Sequence, residues 1–329
     1  MIDIVYICNS SLFNKCLNFE NLMTENINKV ELPSNWIGGE FYIQTCLILL
    51  LEKKFKNNYI YLSLSESTEF INETLNNCKI IILPGCSIYI DEKSVFHKHK
   101  NKLYSYTYFE QHCMNDKYLI SHKYNSSVFS LYYYMIPLKN YDIEDIIFNS
   151  NIKGLLMSKC ISHNINIIDN IVNLLNVLNK NNVKLYSTMR DLSKMEEFPK
   201  YLNNIKEKCI NSCNSICNNN SIELLGILSP TKFRKLLKHC KYILCFDNPR
   251  SPPTIIEALF SDCIVISSSK QISQDLQTNK NVYLTDNMTN ADILLLIKKI
   301  ENDEIVFNKN HYPLDYTEES MENILRTLI

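Results

Sequence analysis

A chain of 329 residues and 38.5 kDa is more than one hydrophobic core usually fills, so two domains are expected. Apolar residues at 46% and charged residues at 21% exclude wholesale disorder, and 34 basic against 35 acidic residues argue against a generic nucleic-acid binder. No run approaches the ~18 uninterrupted apolar residues of a membrane-spanning helix, so no transmembrane segment is expected.

The first predicted strand is Ile2–Ile7, which carries an early acid and no basic segment and so does not read as a signal peptide. An irregular stretch ends in Gly38-Gly39-Glu40, and Phe41–Phe55 then shows helical spacing of apolar residues. Tyr59–Leu64 is a second predicted strand and Glu66–Asn76 a helix. Lys79–Leu83 is a third strand, ending at Pro84-Gly85. Lys102–Tyr108 is a fourth, running into Glu110-Gln111-His112. This is the βαβ rhythm of a parallel sheet.

The rhythm restarts after residues 140–151. Lys153–Lys159 reads as a strand and Asn166–Leu178 as a helix. Val183–Ser187, Ile222–Leu225, Tyr242–Phe246 and Cys263–Ser267 read as four more strands. Helices are expected at Lys194–Ile216, Thr231–Cys240 and Thr254–Phe260, with a terminal helix over Tyr316–Ile329. The expected organisation is an α/β domain over 1–150, a second over 151–310 and a C-terminal helix over 311–329.

Thirteen cysteines, an odd number with several in predicted strands (Cys8, Cys245, Cys263), suit reduced, buried thiols. The expected location is cytoplasmic. Cys209, Cys213 and Cys217 repeat every four residues and read as a thiol stripe on a helix, since zinc sites favour tighter C-x2-C pairs. His97-Lys98-His99 reads as a solvated loop.

In open α/β sheets ligands sit outside the carboxyl ends of the strands, which turns the residues after each strand into a site list. Glycine is scarce, five residues where average usage would give about twenty. Gly38, Gly39, Gly85 and Gly226 fall beside strand ends or at a loop entering a helix. No GxGxxG set occurs, so a dinucleotide fingerprint is absent. The most informative block runs from Leu225 to Ser269. Gly226-Ile227-Leu228-Ser229-Pro230 leads into a helix and a strand. Asp247-Asn248-Pro249-Arg250-Ser251-Pro252-Pro253 then feeds a helix beginning Thr254-Ile255-Ile256-Glu257-Ala258-Leu259. A helix start offers unpaired amides and a positive dipole end to a diphosphate, and Glu257 is placed to accept bonds from a ribose diol.

This block resembles glycosyltransferases of GT-B fold, two facing Rossmann-like domains with parallel sheets and a nucleotide-sugar between them. The Gly226–Ser229 loop, Pro249, Pro253, Glu257-Ala258 and Cys263 are especially similar to the N-acetylglucosaminyltransferase V family. The resemblance implies a C-terminal helix crossing back to the first domain and no cofactor. It implies donor contacts from Gly38, Gly39, Lys159, Ile227, Leu228, Ser251, Pro253, Thr254 and Glu257, with Arg190 or Arg250 as the substitute for the family's second cation, a choice that spacing leaves open. Glu110, His112 or Glu40 is the expected catalytic base if the reaction inverts. Departures are equally specific. Pro249 stands where many retaining members carry a first glutamate, Asn164 where a second cation is usual, and Asp262 where a glycine is usual.

The function so implied is transfer of a hexosyl or N-acetylhexosaminyl group from a nucleotide diphosphate donor, UDP by resemblance, to a hydroxyl of a glycan or other acceptor. No Asp-x-Asp triplet is present to bridge phosphates to a metal, so metal independence is expected. A nucleotide-sugar epimerase of the same fold, or a non-catalytic binding descendant, is the alternative.

Overall fold

The computed structural model describes residues 2–7, 39–63, 65–84, 95–106, 147–157, 165–188, 206–226, 228, 230–246, 252–269, 272 and 276–329. Contacts divide the chain into two compact units. One comprises Met1–Lys139 with Leu314–Ile329, and the other Asn140–Pro313.

The first unit contains β1 (Ile4–Ile7), α1 (Gly39–Lys54), β2 (Tyr59–Leu62), α2 (Thr68–Asn76), β3 (Ile80–Pro84), a 3-10 segment (Val95–Lys102) and β4 (Leu103–Tyr106). The four strands form a parallel sheet in the order β2-β1-β3-β4, with Ile4 in register with Tyr59 on one side and Ile80 on the other. Val5, Ile7, Leu62, Ile71, Leu75, Ile81 and Leu103 build its core. Helix α2 shows how local chemistry sets the ends. Ser67 Oγ accepts from Phe70 N at 3.3 Å at its start. Lys102 Nζ donates to the carbonyls of Leu75, Asn76 and Cys78 at its finish. His99, expected in a solvated loop, is instead buried in the 3-10 segment, while Lys98 stays exposed. Burial and the charges of Lys102 and Lys98 lower its pKa.

The second unit holds β5 (Gly154–Met157), α3 (Ile165–Lys180), β6 (Leu185–Ser187), α4 (Lys206–Cys217), β7 (Ile222–Leu224), α5 (Pro230–His239), β8 (Tyr242–Cys245), α6 (Pro252–Phe260), β9 (Ile264–Ser267), β10 (Val282–Leu284) and α7 (Asn290–Glu301). Its six strands are parallel in the order β10-β9-β8-β5-β6-β7. The central strands β8 and β9 are buried along their whole length, whereas β7 at the edge is half exposed, as burial on both faces by helices requires. Gly154 opens β5 because a Cβ there would stand 2.3 Å from the Tyr242 ring and 2.6 Å from Leu185.

Two elements of this unit, β10 and α7, are absent from the sequence reading. Strand β10 offers the apolar run Val282-Tyr283-Leu284, as long as β6 and β7, so it is readable on the same grounds. Helix α7 does carry a signal: Thr289 and Asp292 form a capping box, and Ile293, Leu296, Ile297 and Ile300 recur at helical spacing on its buried side. Of the helix expected at Lys194–Ile216, α4 covers the latter part, and residues 194–205 lie outside the described residues.

A final helix, α8 (Glu318–Leu328), belongs to the first unit. Met321 and Leu325 are buried beneath it. Lys53 pairs with Glu318 at 2.7 Å and Lys54 with Glu322 at 2.8 Å, tying α8 to the basic last turn of α1. Arg326 stacks over the Phe55 ring at 5.1 Å and also bonds Glu322. The architecture is α/β with two parallel sheets, one in each unit.

Candidate functional site

The strand order of the second sheet defines where a ligand has room. From β5 the chain moves outward through β6 and β7, and from β8 it moves the other way through β9 and β10. The neighbours β5 and β8 therefore flank a topological switch point, where the loops leaving their carboxyl ends part in opposite directions. Small hydroxyls tie the carboxyl edge of this sheet together. Ser187 Oγ donates to Leu156 O at 3.2 Å and Ser267 Oγ to Cys245 O at 2.8 Å, both fully buried. Just beyond β9 and β10, Ser269 donates through its amide and hydroxyl to the Asp286 carboxylate at 2.7 and 2.9 Å. The sequence reading missed these serines and Asp286; the only signal was a hydroxyl at each strand end.

Helix α6 rises from the loop after β8. It begins at Pro252, not at Thr254 as the sequence suggested, with two prolines in its first turn, where a missing N–H costs nothing. Glu257 is thus its sixth residue. At that position it is too far along the helix to cap its start, a role that needs the third position. Side chains on a helix tilt toward its N-terminus, so Glu257 leans back toward the carboxyl edge of the sheet.

Glu257 is buried, at 7% exposure, on a helix whose Ile255, Ile256, Ala258 and Leu259 are buried too. Its Oε1 accepts from Arg234 Nε of α5 at 2.9 Å, and the Arg234 side chain is only 2% exposed. Burial pushes the Glu257 carboxyl above its ordinary value, against the pull of the Arg234 charge. Among the described residues, Oε2 accepts no hydrogen bond. Arg234 is the residue that sequence reasoning missed. Its 23-residue separation from Glu257 carries no local pattern.

The loop before α5 contributes Gly226, whose φ of +68° requires glycine and leaves open space around it. Leu228, a candidate for the base, is partly exposed two residues on. Thr254 is half-buried on α6, and Pro253 lies in its first turn. In the first unit Gly39 and Glu40 are the first two residues of α1, within the helix rather than before it. Gly38, Glu110, His112, Lys159, Arg190, Ile227, Arg250 and Ser251 lie outside the described residues.

Asp262, where the resemblance leads one to expect glycine, has φ +63° just after α6, the left-handed region that aspartate tolerates. Its carboxylate accepts the Tyr312 hydroxyl and pairs with Lys309 at 3.6 Å. It lines a concavity of about 400 Å³ with Lys241, Phe260, Phe307 and Tyr312, at the amino edge of the strands and so away from the switch point.

No protein-family model matches the chain, and no curated protein matches it in sequence. Solved structures do match in fold. A glycosyltransferase from Rickettsia africae is 13% identical over 99% of this chain and 98% of its own, with a TM-score of 0.50. The UDP-GlcNAc 2-epimerase of Neisseria meningitidis bound to UDP-GlcNAc is 13% identical over 100% and 99%, with a TM-score of 0.54. MnaA of S. aureus with UDP is 11% identical over 98% and 94%, with a TM-score of 0.52. The fold fits both transferases and epimerases.

Proposed function

We propose that the chain binds a nucleotide diphosphate sugar, with UDP as the first nucleotide to test, and transfers the sugar to an acceptor hydroxyl without a divalent metal. The observation that carries the reading is Glu257. A half-satisfied carboxylate sits on the helix that follows β8, beside the switch point, where two ribose hydroxyls would complete its bonding. Ile227 and Leu228 would flank the base. Gly38 and Gly39, the α6 start at Pro253-Thr254, with Ser251 and one or more of Lys159, Arg190 and Arg250, would hold the phosphates. They would thereby offset the charge developing on the leaving diphosphate. Glu110, His112 or Glu40 would deprotonate the acceptor if the reaction inverts. The donor-domain motif keeps its likeness to the N-acetylglucosaminyltransferase V family as the finer form of this proposal.

A second reading, a nucleotide-sugar epimerase, draws support from the fold shared with proteins described as UDP-GlcNAc 2-epimerases. Pro249 in place of a first glutamate favours a third, a binding protein without turnover. One screen separates them: UDP-, GDP-, ADP- and dTDP-sugars incubated with and without acceptors. Transfer only with acceptor supports the proposal, donor conversion without acceptor supports the epimerase, and binding without turnover supports the third. Absence of binding to all four overturns all three.

A further inference from the structure

Two charged side chains meet between α5 and α6, helices whose other buried residues are mostly apolar. Arg234 is 2% exposed and Glu257 10% by side chain, and Leu236 and Leu237 of α5 and Ile255, Ile256 and Leu259 of α6 are fully buried. An ion pair in such surroundings is a poor source of stability, because removing two charges from water offsets most of their attraction. A hydrophobic pair of equal volume would hold the helices at least as well. The geometry suggests another use. Arg234 Nε engages only Oε1, so the carboxylate is held by one oxygen and presents the other.

We infer that Arg234 is the positioning residue of the nucleotide site: it fixes Glu257 through Oε1 so that Oε2 is aimed to accept the ribose hydroxyls of a nucleoside diphosphate. The inference rests on the ribose role proposed for Glu257 and adds the residue that makes the role possible. A guanidinium beside a buried carboxylate also favours its charged form, and a charged acceptor makes the stronger hydrogen bond. Arginine suits this task better than lysine, since its planar fork fixes direction as well as charge.

The test compares UDP with 2′,3′-dideoxy-UDP by calorimetry on the full chain, for wild type, Arg234→Met, Arg234→Lys and Glu257→Gln, with melting temperatures recorded for each. If UDP is silent, ADP and GDP are compared with their dideoxy forms in the same way. Wild type is expected to prefer the ribose form by about ten- to hundredfold, the worth of bonds to a charged acceptor. Arg234→Met should reduce that preference to within about threefold, and Arg234→Lys should restore part of it. Glu257→Gln should lower it, and Arg234→Met added to Glu257→Gln should lower it little further. A purely structural arginine would lower the melting temperature and leave the ribose preference of the folded protein intact. That outcome overturns the inference. Should Arg234→Met not fold, an unchanged preference in Arg234→Lys overturns it equally. Wild type that binds nucleotide with no ribose preference overturns the role of Glu257 itself. Wild type that binds no nucleoside diphosphate overturns the proposed function.

Discussion

At the scale of single residues, the pairing of Glu257 with Arg234 changes what a mutation there should do. Glu257→Ala would strand a buried guanidinium, and breaking a buried pair by removing one partner costs about 3–5 kcal/mol. Were Glu257 a surface carboxylate serving only a ribose, this substitution would weaken nucleotide binding and spare the fold. With Arg234 behind it, both should suffer. Glu257→Gln keeps the shape and is the better probe: nucleotide affinity should fall about tenfold or more, with a smaller drop in melting temperature. Calorimetry beside a thermal melt checks both. Gly154→Ala has no ligand reading at all. Its methyl would drive into the Tyr242 ring, and overpacking of this kind costs about 1–3 kcal/mol, measurable as a lower urea midpoint. Cysteines supply a third expectation. Burial pushes the thiols of Cys240 and Cys245 up to about 12, so at pH 8 only about one in ten thousand is thiolate. Iodoacetamide should label them far more slowly in native than in urea-unfolded protein, read by mass spectrometry.

At the scale of elements, the last helix earns its place through both faces of chemistry. Leu325 and Met321 are fully buried, and the paired charges of Lys53, Lys54, Glu318, Glu322 and Arg326 align at the rim. Exposed pairs contribute little each, so the apolar contacts dominate. Leu325→Ala should lower stability by about 2–5 kcal/mol, whereas Glu318→Gln should be nearly silent, as chemical denaturation of both variants would show. The periodicity of α8 was legible in the sequence because Met321 and Leu325 stand four apart. Helix α7 was equally periodic, with its capping box as a start signal, and β10 was as long as the strands that were read, so both were legible though missed.

For the whole molecule, pH couples to stability through opposed groups. The lysine beside Asp3, the Thr289 bonds to Asp292, and Lys54 with Arg326 beside Glu322 hold these carboxyls below their usual values. Their contribution is present above the unfolded pKa and is lost as pH falls through the folded one. Glu257 and Glu301 are pushed up by burial, so they act oppositely: what they contribute is complete below the unfolded pKa and disappears as pH rises through the folded value. Net stability should therefore fall on acidification from about pH 5 toward pH 3, with a shallow decline as pH rises from the ordinary carboxyl range through the raised values of Glu257 and Glu301 and none beyond them. Urea midpoints across that range test it. Metal should be dispensable for turnover, and activity lost to EDTA and restored by Mn²⁺ would reverse that reading.

By itself the sequence determined that the chain is two successive α/β halves, because short continuous apolar runs mark the doubly covered strands and an apolar period of about 3.6 marks the helices. It also brought Glu257 to attention, since a proline-rich loop entering a helix after a strand is a local pattern. Only the tertiary structure decided the strand order that creates a switch point, and the burial of His99 between two lysines in sequence. Only it supplied Arg234, which lies 23 positions from the carboxylate it holds. The reason is common to all three. Local periodicity records which face of an element is covered, whereas strand order, the partner of a buried charge and the oxygen left for a ligand arise from which distant elements do the covering.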